Sequence, residues 1–228
     1  MVVPTRHERQ QRTRLDLVAA AEREILSAGL ARASIRGICA AAGYTLGAFY
    51  SNFTSKDELV LAVADAKFFA LYRSLADIVA ASCEAGKRAT VEAVSEWLAR
   101  VEKDTGLAAF SIECALHARH NPAFREQVAE HRRHVRELFA DALRELLQRM
   151  GRVARIPVET LVEGLMALWQ GAALSGSYAG TPCGEDRPLV PLFLEAMTAE
   201  VQPGAASPGE SPAPNPATDG GASGSVLP

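Results

Sequence analysis

Apolar side chains recur at steps of three and four residues along most of this chain, and no run alternates apolar with polar between hairpin-type turns. That period predicts a succession of helices. Val18, Ala21, Ile25 and Ala28 mark one face of a first helix, which Gly29 ends, and Ser34 caps a second that stops at Gly43. A long helix starts near Ser55, where Asp57 and Glu58 place negative charge at the positive end of the helix dipole, and runs past Tyr72. Further on, Phe124, Val128, Val135, Leu138, Phe139, Ala142 and Leu146 form an apolar stripe opposite Arg132, Arg133, Arg136, Glu137, Arg144 and Glu145, the pattern of a surface helix covering a core. Pro157 opens another helix through Val158, Leu161, Leu165, Leu168, Trp169 and Ala172. Met166, Ala167 and Leu174 make it apolar nearly all round, as at a subunit interface. A last, shorter helix is expected between Pro188 and Val201. From Pro203 onward Pro, Gly, Ser and Ala dominate, too little apolar surface to offset the entropy of ordering, so 203–228 reads as a disordered tail.

Nearly half of the 228 residues are apolar and the formal net charge is −3, which suits a soluble protein with a buried core and gives no overall attraction to phosphate. The first residues lack the apolar run of a secretory signal. The most apolar stretch, Leu59 to Ala70, is interrupted by Asp65 and Lys67, so no membrane span and a cytoplasmic location are expected. Cys39, Cys83, Cys114 and Cys183 are far apart without a CxxC pair and read as reduced thiols. Charge is unevenly spread: residues 1–56 hold eight basic and four acidic side chains, a local +4.

That positive segment contains SIRGICAAAGYTLGAFYSNF, residues 34–53: a helix, a glycine-marked tight turn and a second short helix, which is the plan of a helix-turn-helix. Gly43 allows the positive φ of the turn, and Ala40, Ala41 and Ala42 let the two helices approach. Ile35, Ile38 and Phe49 are spaced to pack inward, with Phe53 also read as core. Thr45, Leu46, Gly47, Ala48, Tyr50, Ser51 and Asn52 are left for the groove of a duplex, with Arg36 and Lys56 placed for phosphates and Arg6, Arg9, Arg12 and Arg14 in an N-terminal arm.

The first helix ending at Gly29, SIRGICAAAGY, GAFYSNF and the following SKDEL together resemble the DNA-binding domain of the TetR family of bacterial repressors, over roughly residues 12–66. The resemblance implies an all-α protein: an N-terminal three-helix helix-turn-helix DNA-binding domain followed by a C-terminal helical bundle that binds ligand and dimerises. Its expected divisions are a basic flexible arm at 1–11, the DNA-binding domain at 12–54, the ligand-binding and dimerisation domain at 55–202 and the tail. It implies DNA contacts from Arg36, Thr45, Leu46, Gly47, Ala48, Tyr50, Ser51, Asn52 and Lys56. Leu46 departs from the family pattern, in which a polar or basic residue is common. Without Arg or Lys on the recognition helix, thymine-methyl contacts and DNA shape must supply more of the specificity.

The same resemblance implies double-stranded operator DNA, a second copy of the chain paired through the last two helices, and a small-molecule effector as partners, with no cofactor and no metal. Repression is the usual family behaviour. Phe68, Tyr72, Trp97, Phe110, Glu113, His117, Phe139 and Trp169 are the candidate pocket residues, apolar walls with a few polar groups, and an apolar or aromatic effector oriented by Glu113 or His117 is expected. Each one alone is more often a core residue than a ligand contact. A helical enzyme would have to use Glu113, Cys114, His117 and His120, but no second ligand cluster, nucleophile motif or phosphate loop accompanies them. A TetR-like protein acting through protein contacts alone is the remaining alternative, hinted at only by Leu46.

Overall fold

The computed structural model describes residues 5–179 and 188–201. The expected tail from Pro203 lies outside the described residues, as do the first four residues of the arm. Among the described residues eight helices and two short strands follow one another: α1 (Arg6–Ala28), α2 (Ile35–Ala42), α3 (Leu46–Tyr50), α4 (Lys56–Lys103), α5 (Thr105–His120), α6 (Pro122–Met150), β1 (Arg152–Ala154), α7 (Val158–Ala179), α8 (Leu189–Ala196) and β2 (Thr198–Glu200). Among the described residues no helix is long and apolar enough to cross a membrane.

The helix ends follow the sequence signals. Ser34 accepts a hydrogen bond from Gly37 N at 3.0 Å and Ser55 one from Glu58 N at 3.1 Å, while Gly43 closes α2 in the left-handed region with φ 76°. Asn121 caps α6 ahead of Pro122, and Asp104 caps α5. The long helix α4 is broken at Gly86, whose φ of 77° lies outside helical space. Just before the break, Arg149 of α6 donates to the carbonyl of Val79 at 2.7 Å.

Two expectations about chain ends need correction. The basic arm is helical from Arg6: Thr5 and Glu8 form a capping box, with Glu8 N donating to Thr5 Oγ1 at 3.2 Å and Thr5 N to Glu8 Oε2 at 2.6 Å. The Thr5 backbone N–H first, and the Thr5 hydroxyl after it, hold the Glu8 carboxyl below its usual range. At the other end, the helix expected from Pro188 to Val201 stops at Ala196, because Thr198–Glu200 pairs antiparallel with β1, Ala154 opposite Thr198 and Arg152 opposite Glu200. The Thr198 hydroxyl donates back to the Leu194 carbonyl at 2.9 Å and accepts from Arg152 Nε at 2.9 Å, which stops the helix and starts the pair.

Two apolar cores result. The first joins Leu17, Ile25, Leu30, Ile38, Phe49, Phe53 and Leu59 to Phe110, Cys114 and Ala118 of α5 and Phe124 of α6, so the core that holds the motif extends well past residue 54. The second gathers Leu75, Trp97, Leu98, Leu143, Leu146, Leu161, Trp169 and Leu194. Phe68 packs against both. Within the second, the buried Glu102 carboxylate accepts from Leu189 N and Val190 N, both at 3.0 Å, and so caps α8.

Thr5→Ala removes the capping box and is expected to cost about 1 kcal/mol at the helix end. Hydrogen exchange should speed up at residues 8–11 while the amides of α5 keep their protection; unchanged exchange at 8–11 would count against a capped α1.

Candidate nucleic-acid interface and effector cavity

α3 is held from beneath by its aromatic residues. Phe49 and Phe53 are fully buried with ring centroids 5.7 Å apart, and Tyr50, one position round the helix, stands 60% exposed with its ring edge-on to Phe49. Thr45 caps the helix by accepting from Ala48 N at 3.2 Å. Thr45, Leu46, Gly47, Tyr50 and Ser51 are therefore exposed along α3 and its flanks, with Ala48 half-buried between them and Arg36 exposed on α2. A Cβ at Gly47 would meet nothing nearer than Thr45 Oγ1 at 3.7 Å, so packing within the chain does not demand a glycine there.

The first turns of α1 lie against the C-terminal end of α3. Gln10 Nε2 donates to the Ser51 carbonyl at 3.3 Å, and Arg14 donates to the Asn52 carbonyl at 2.9 Å with its guanidinium 4.2 Å over the Phe53 ring. Arg6, Arg9 and Arg12 stay exposed beside it. Positive charge is thus fixed along the edge of α3 although α3 itself carries none.

Two of the nine expected DNA contacts are turned inward. Asn52 spends its amide on the Ala48 carbonyl at 2.8 Å and its Oδ1 is buried without a partner. Lys56 reaches back to the Leu30 carbonyl at 2.6 Å, and partial burial lowers its pKa against the opposing charge of Asp57. Both hold the motif in shape.

Glu113 and His117, expected to orient an effector, also face elsewhere. Glu113 Oε2 accepts from the buried Leu30 N at 2.8 Å. His117 Nε2 sits 2.8 Å from Asp57 Oδ1, and Asn121 donates to the other oxygen of Asp57 at 2.8 Å. Their shared face on α5 points at the helix-turn-helix because α5 packs against α1 and the start of α4. Cys114, between them, is buried. Desolvation first, then the Glu113 charge, pushes its thiol up to about 12, so at neutral pH it is a protonated packing group rather than a nucleophile. Among the described residues no three His, Cys, Asp or Glu side chains come together as a metal site would require.

An apolar cavity opens instead inside the second core, with about 90 Å³ of free space. Of the sequence candidates Phe68, Trp97, Phe139 and Trp169 line it, together with Leu71, Val94, Leu98, Leu143 and Met166. Both indole N–H groups are already engaged: Trp97 donates to Ser74 Oγ at 2.8 Å and Trp169 to the Val101 carbonyl at 2.9 Å. Tyr72 belongs to a separate groove beside His134 and Leu138, and Phe110 to a second, smaller cavity that also holds Ser111 and His131. Ser111 and His131 were not among the sequence candidates. His131 could have been, because it takes the place in the stripe between Val128 and Val135 where an apolar residue is due.

Glu113→Ala leaves the Leu30 N–H buried and unsatisfied, an expected loss of about 1–3 kcal/mol. Thermal unfolding should register it, while the affinity of the apolar cavity for a hydrophobic dye should stay within twofold. The reverse pattern would return Glu113 to the ligand site.

The description "Bacterial regulatory proteins, tetR family" matches residues 17–63, and "BetI-type transcriptional repressor, C-terminal" matches residues 86–189. The HTH-type transcriptional regulator TtgR of Pseudomonas putida is 43% identical over 65 residues, 28% of this chain and 30% of the relative; the match thus spans less than a third of that protein's length. Among solved structures, the reduced form of Escherichia coli NemR aligns with a TM-score of 0.65 at 20% identity, over 82% of this chain and 98% of the other. A TetR transcription regulator from Haloarcula marismortui aligns with a TM-score of 0.63 at 16% identity, over 83% of this chain and all of the other. At those identities the structures speak for the fold, whereas the two family matches, which between them take in the helix-turn-helix and most of the bundle, speak for descent. The chain belongs to the TetR family of bacterial transcription regulators.

Proposed function

We propose that this regulator binds a pseudo-palindromic operator as a homodimer, represses transcription there, and is released by a small uncharged apolar ligand. The observation that carries the reading is the exposed rim of α3, Thr45, Leu46, Gly47, Tyr50 and Ser51, set on buried Phe49 and Phe53 and edged by the exposed arginines of α1. One such helix reads a half-site, and two-fold symmetry puts the next about 34–36 Å along the groove or a multiple of that. Arg36, Tyr50, Thr45 and Ser51 serve the phosphates; Leu46, Gly47 and Ala48 face the base edges. Asn52 and Lys56 act behind them by holding the motif together.

The test is a gel shift on the DNA upstream of the protein's own gene, over a series of salt concentrations. Tyr50→Ala and Arg36→Ala should each weaken binding by about tenfold, with Arg36→Ala also lowering the log–log salt slope by about one. Lys56→Ala should act mainly by lowering the melting temperature. Absence of a shift on any promoter fragment at low salt would favour a regulator that works through protein contacts.

The dimer reading draws on α7. Glu163, Ala167, Gly171, Leu174 and Ser175 fall at three- and four-residue steps on its exposed side, and a Cβ at Gly171 would meet open space. Small residues at that spacing let a second helix approach closely, and the exposed Leu174 gains by being covered. Gly171→Arg should convert a dimer to a monomer in sedimentation velocity at micromolar concentration; a dimer of unchanged stability would place the interface on another face.

The effector reading follows from the cavity. With an apolar lining and both indole N–H groups already bonded, a charged ligand would enter with nothing to replace its water. Release requires that the ligand bind the DNA-incompetent conformation more tightly than the DNA-bound one.

A further inference from the structure

The smaller cavity beside the apolar one contains two polar atoms that the fold leaves unused. Ser111 Oγ and His131 Nε2 are both buried without a hydrogen-bond partner, Ser111 only 8% exposed and the His131 side chain 11%. Buried polar groups are almost always satisfied, and leaving two in one cavity is costly unless something enters to meet them. The cavity has about 50 Å³ of free space, and Phe68 and Met166 wall both it and the apolar cavity. It therefore lies directly behind two side chains of the proposed effector site.

We propose that Ser111 and His131 form a hydroxyl-binding subsite, so that the effector is an alcohol or phenol whose apolar body fills the larger cavity and whose O–H reaches between these two groups. The proposal rests on the effector reading above and makes it more specific. The chemistry follows from the state of His131. Its Nδ1 lies 2.9 Å from Asp65 Oδ1, and a carboxylate at that distance favours the tautomer with its proton on Nδ1, leaving Nε2 with a lone pair. Burial lowers the pKa of His131, against the raising effects of Asp65 and with His134 and Arg132 adding to the lowering, which agrees with a neutral ring. The Phe68 ring, 5.8 Å away centroid to centroid, flanks the imidazole. Nε2 thus accepts, and the Ser111 hydroxyl is free to donate. A ligand hydroxyl does both complementary things at once: it donates to Nε2 and accepts from Ser111. A ketone or ether oxygen could satisfy Ser111 only. A carboxylate would bring a lone pair up against the lone pair of Nε2.

Trp97 and Trp169 are the two tryptophans of the chain and both line the apolar cavity, so intrinsic fluorescence reports its occupancy. The full-length protein is titrated with 4-propylphenol, propylbenzene and 4-propylbenzoate. A purely apolar cavity prefers propylbenzene, the more hydrophobic of the neutral pair. The subsite predicts the opposite order, with 4-propylphenol roughly tenfold or more tighter and the benzoate weakest. Ser111→Ala and His131→Leu should each restore the preference for propylbenzene without weakening propylbenzene itself, and a melting curve confirms that each variant folds. A wild-type preference for propylbenzene, as expected if an ordered water occupies the subsite, overturns the proposal and leaves the apolar cavity standing; so does a phenol preference that survives both substitutions. If none of the three compounds alters the fluorescence, the effector reading falls, and the subsite with it.

Discussion

The peptide of Leu30 is gripped from both sides. Glu113 of α5 accepts its N–H and Lys56 of α4 donates to its carbonyl, so the turn after α1 is fastened to two helices that arise far along the chain. Both partners are charged, and charge-assisted bonds to a buried peptide are stronger than neutral ones and more costly to lose. Asp57 adds a second fastening one residue on, through His117 and Asn121 at the α5–α6 corner. The orientation of α3 is inherited from these contacts, since Phe49, Phe53 and Leu59 share one core with Phe110, Cys114 and Phe124. The helix-turn-helix is consequently a layer of the larger bundle and not a free unit on a linker.

That arrangement gives a physical route between cavity and motif. Phe68 is the side chain common to both cores and to both cavities, and it lies eleven residues beyond Asp57 on α4, about 17 Å along a helix that rises 1.5 Å per residue. The free space near it is small, so a ligand larger than a few atoms has to displace neighbouring side chains, in an interior where side chains are close-packed and shift together. Gly86 divides α4 between Leu75 and Trp97, which lets the two walls of the cavity separate without stretching one continuous helix. The coupling proposed above would be reciprocal: whatever ligand does to α4, DNA at α3 must do in reverse.

Much of this was legible in the sequence where local chemistry decides. Ser34, Gly43 and Ser55 announced their helix ends, and the inward Phe49 and Phe53 against the outward Tyr50 followed from spacing alone. The Thr5 and Glu8 capping box was equally local and was hidden by reading the arginines as an arm. Glu113 and His117 do share a face, as their spacing says, but periodicity shows which residues point the same way and not what they point at. That depends on α5 crossing the start of α4. The inward bonds of Lys56 and Asn52 were hidden for a related reason: their partners, the carbonyls of Leu30 and Ala48, are backbone groups whose freedom no side-chain pattern reveals. The three-residue strands are too short to leave a period at all.

Under the function proposed above, affinity and specificity for DNA fall to different helices in this chain. α3 carries no cation, so it cannot make the bidentate arginine contact to guanine that most directly reads a base. Apart from Arg36 on α2, the arginines beside α3 are on α1, and of these Arg14 is committed to Phe53 and the Asn52 carbonyl. Arg6, Arg9 and Arg12 follow at three-residue steps on a capped helix, which fixes their stripe relative to α3 where a flexible arm would have paid for ordering on every encounter. In the proposed complex, phosphate neutralisation by α1 would supply most of the attraction, and it does not depend on sequence. On the same proposal, discrimination falls to the fit of Leu46, Gly47 and Ala48 against thymine methyls, together with the groove shape that allows Tyr50 and Arg36 to reach the backbone at once. Because that fit is judged from a rigid platform, a small rotation of the motif abolishes it without removing a single charge.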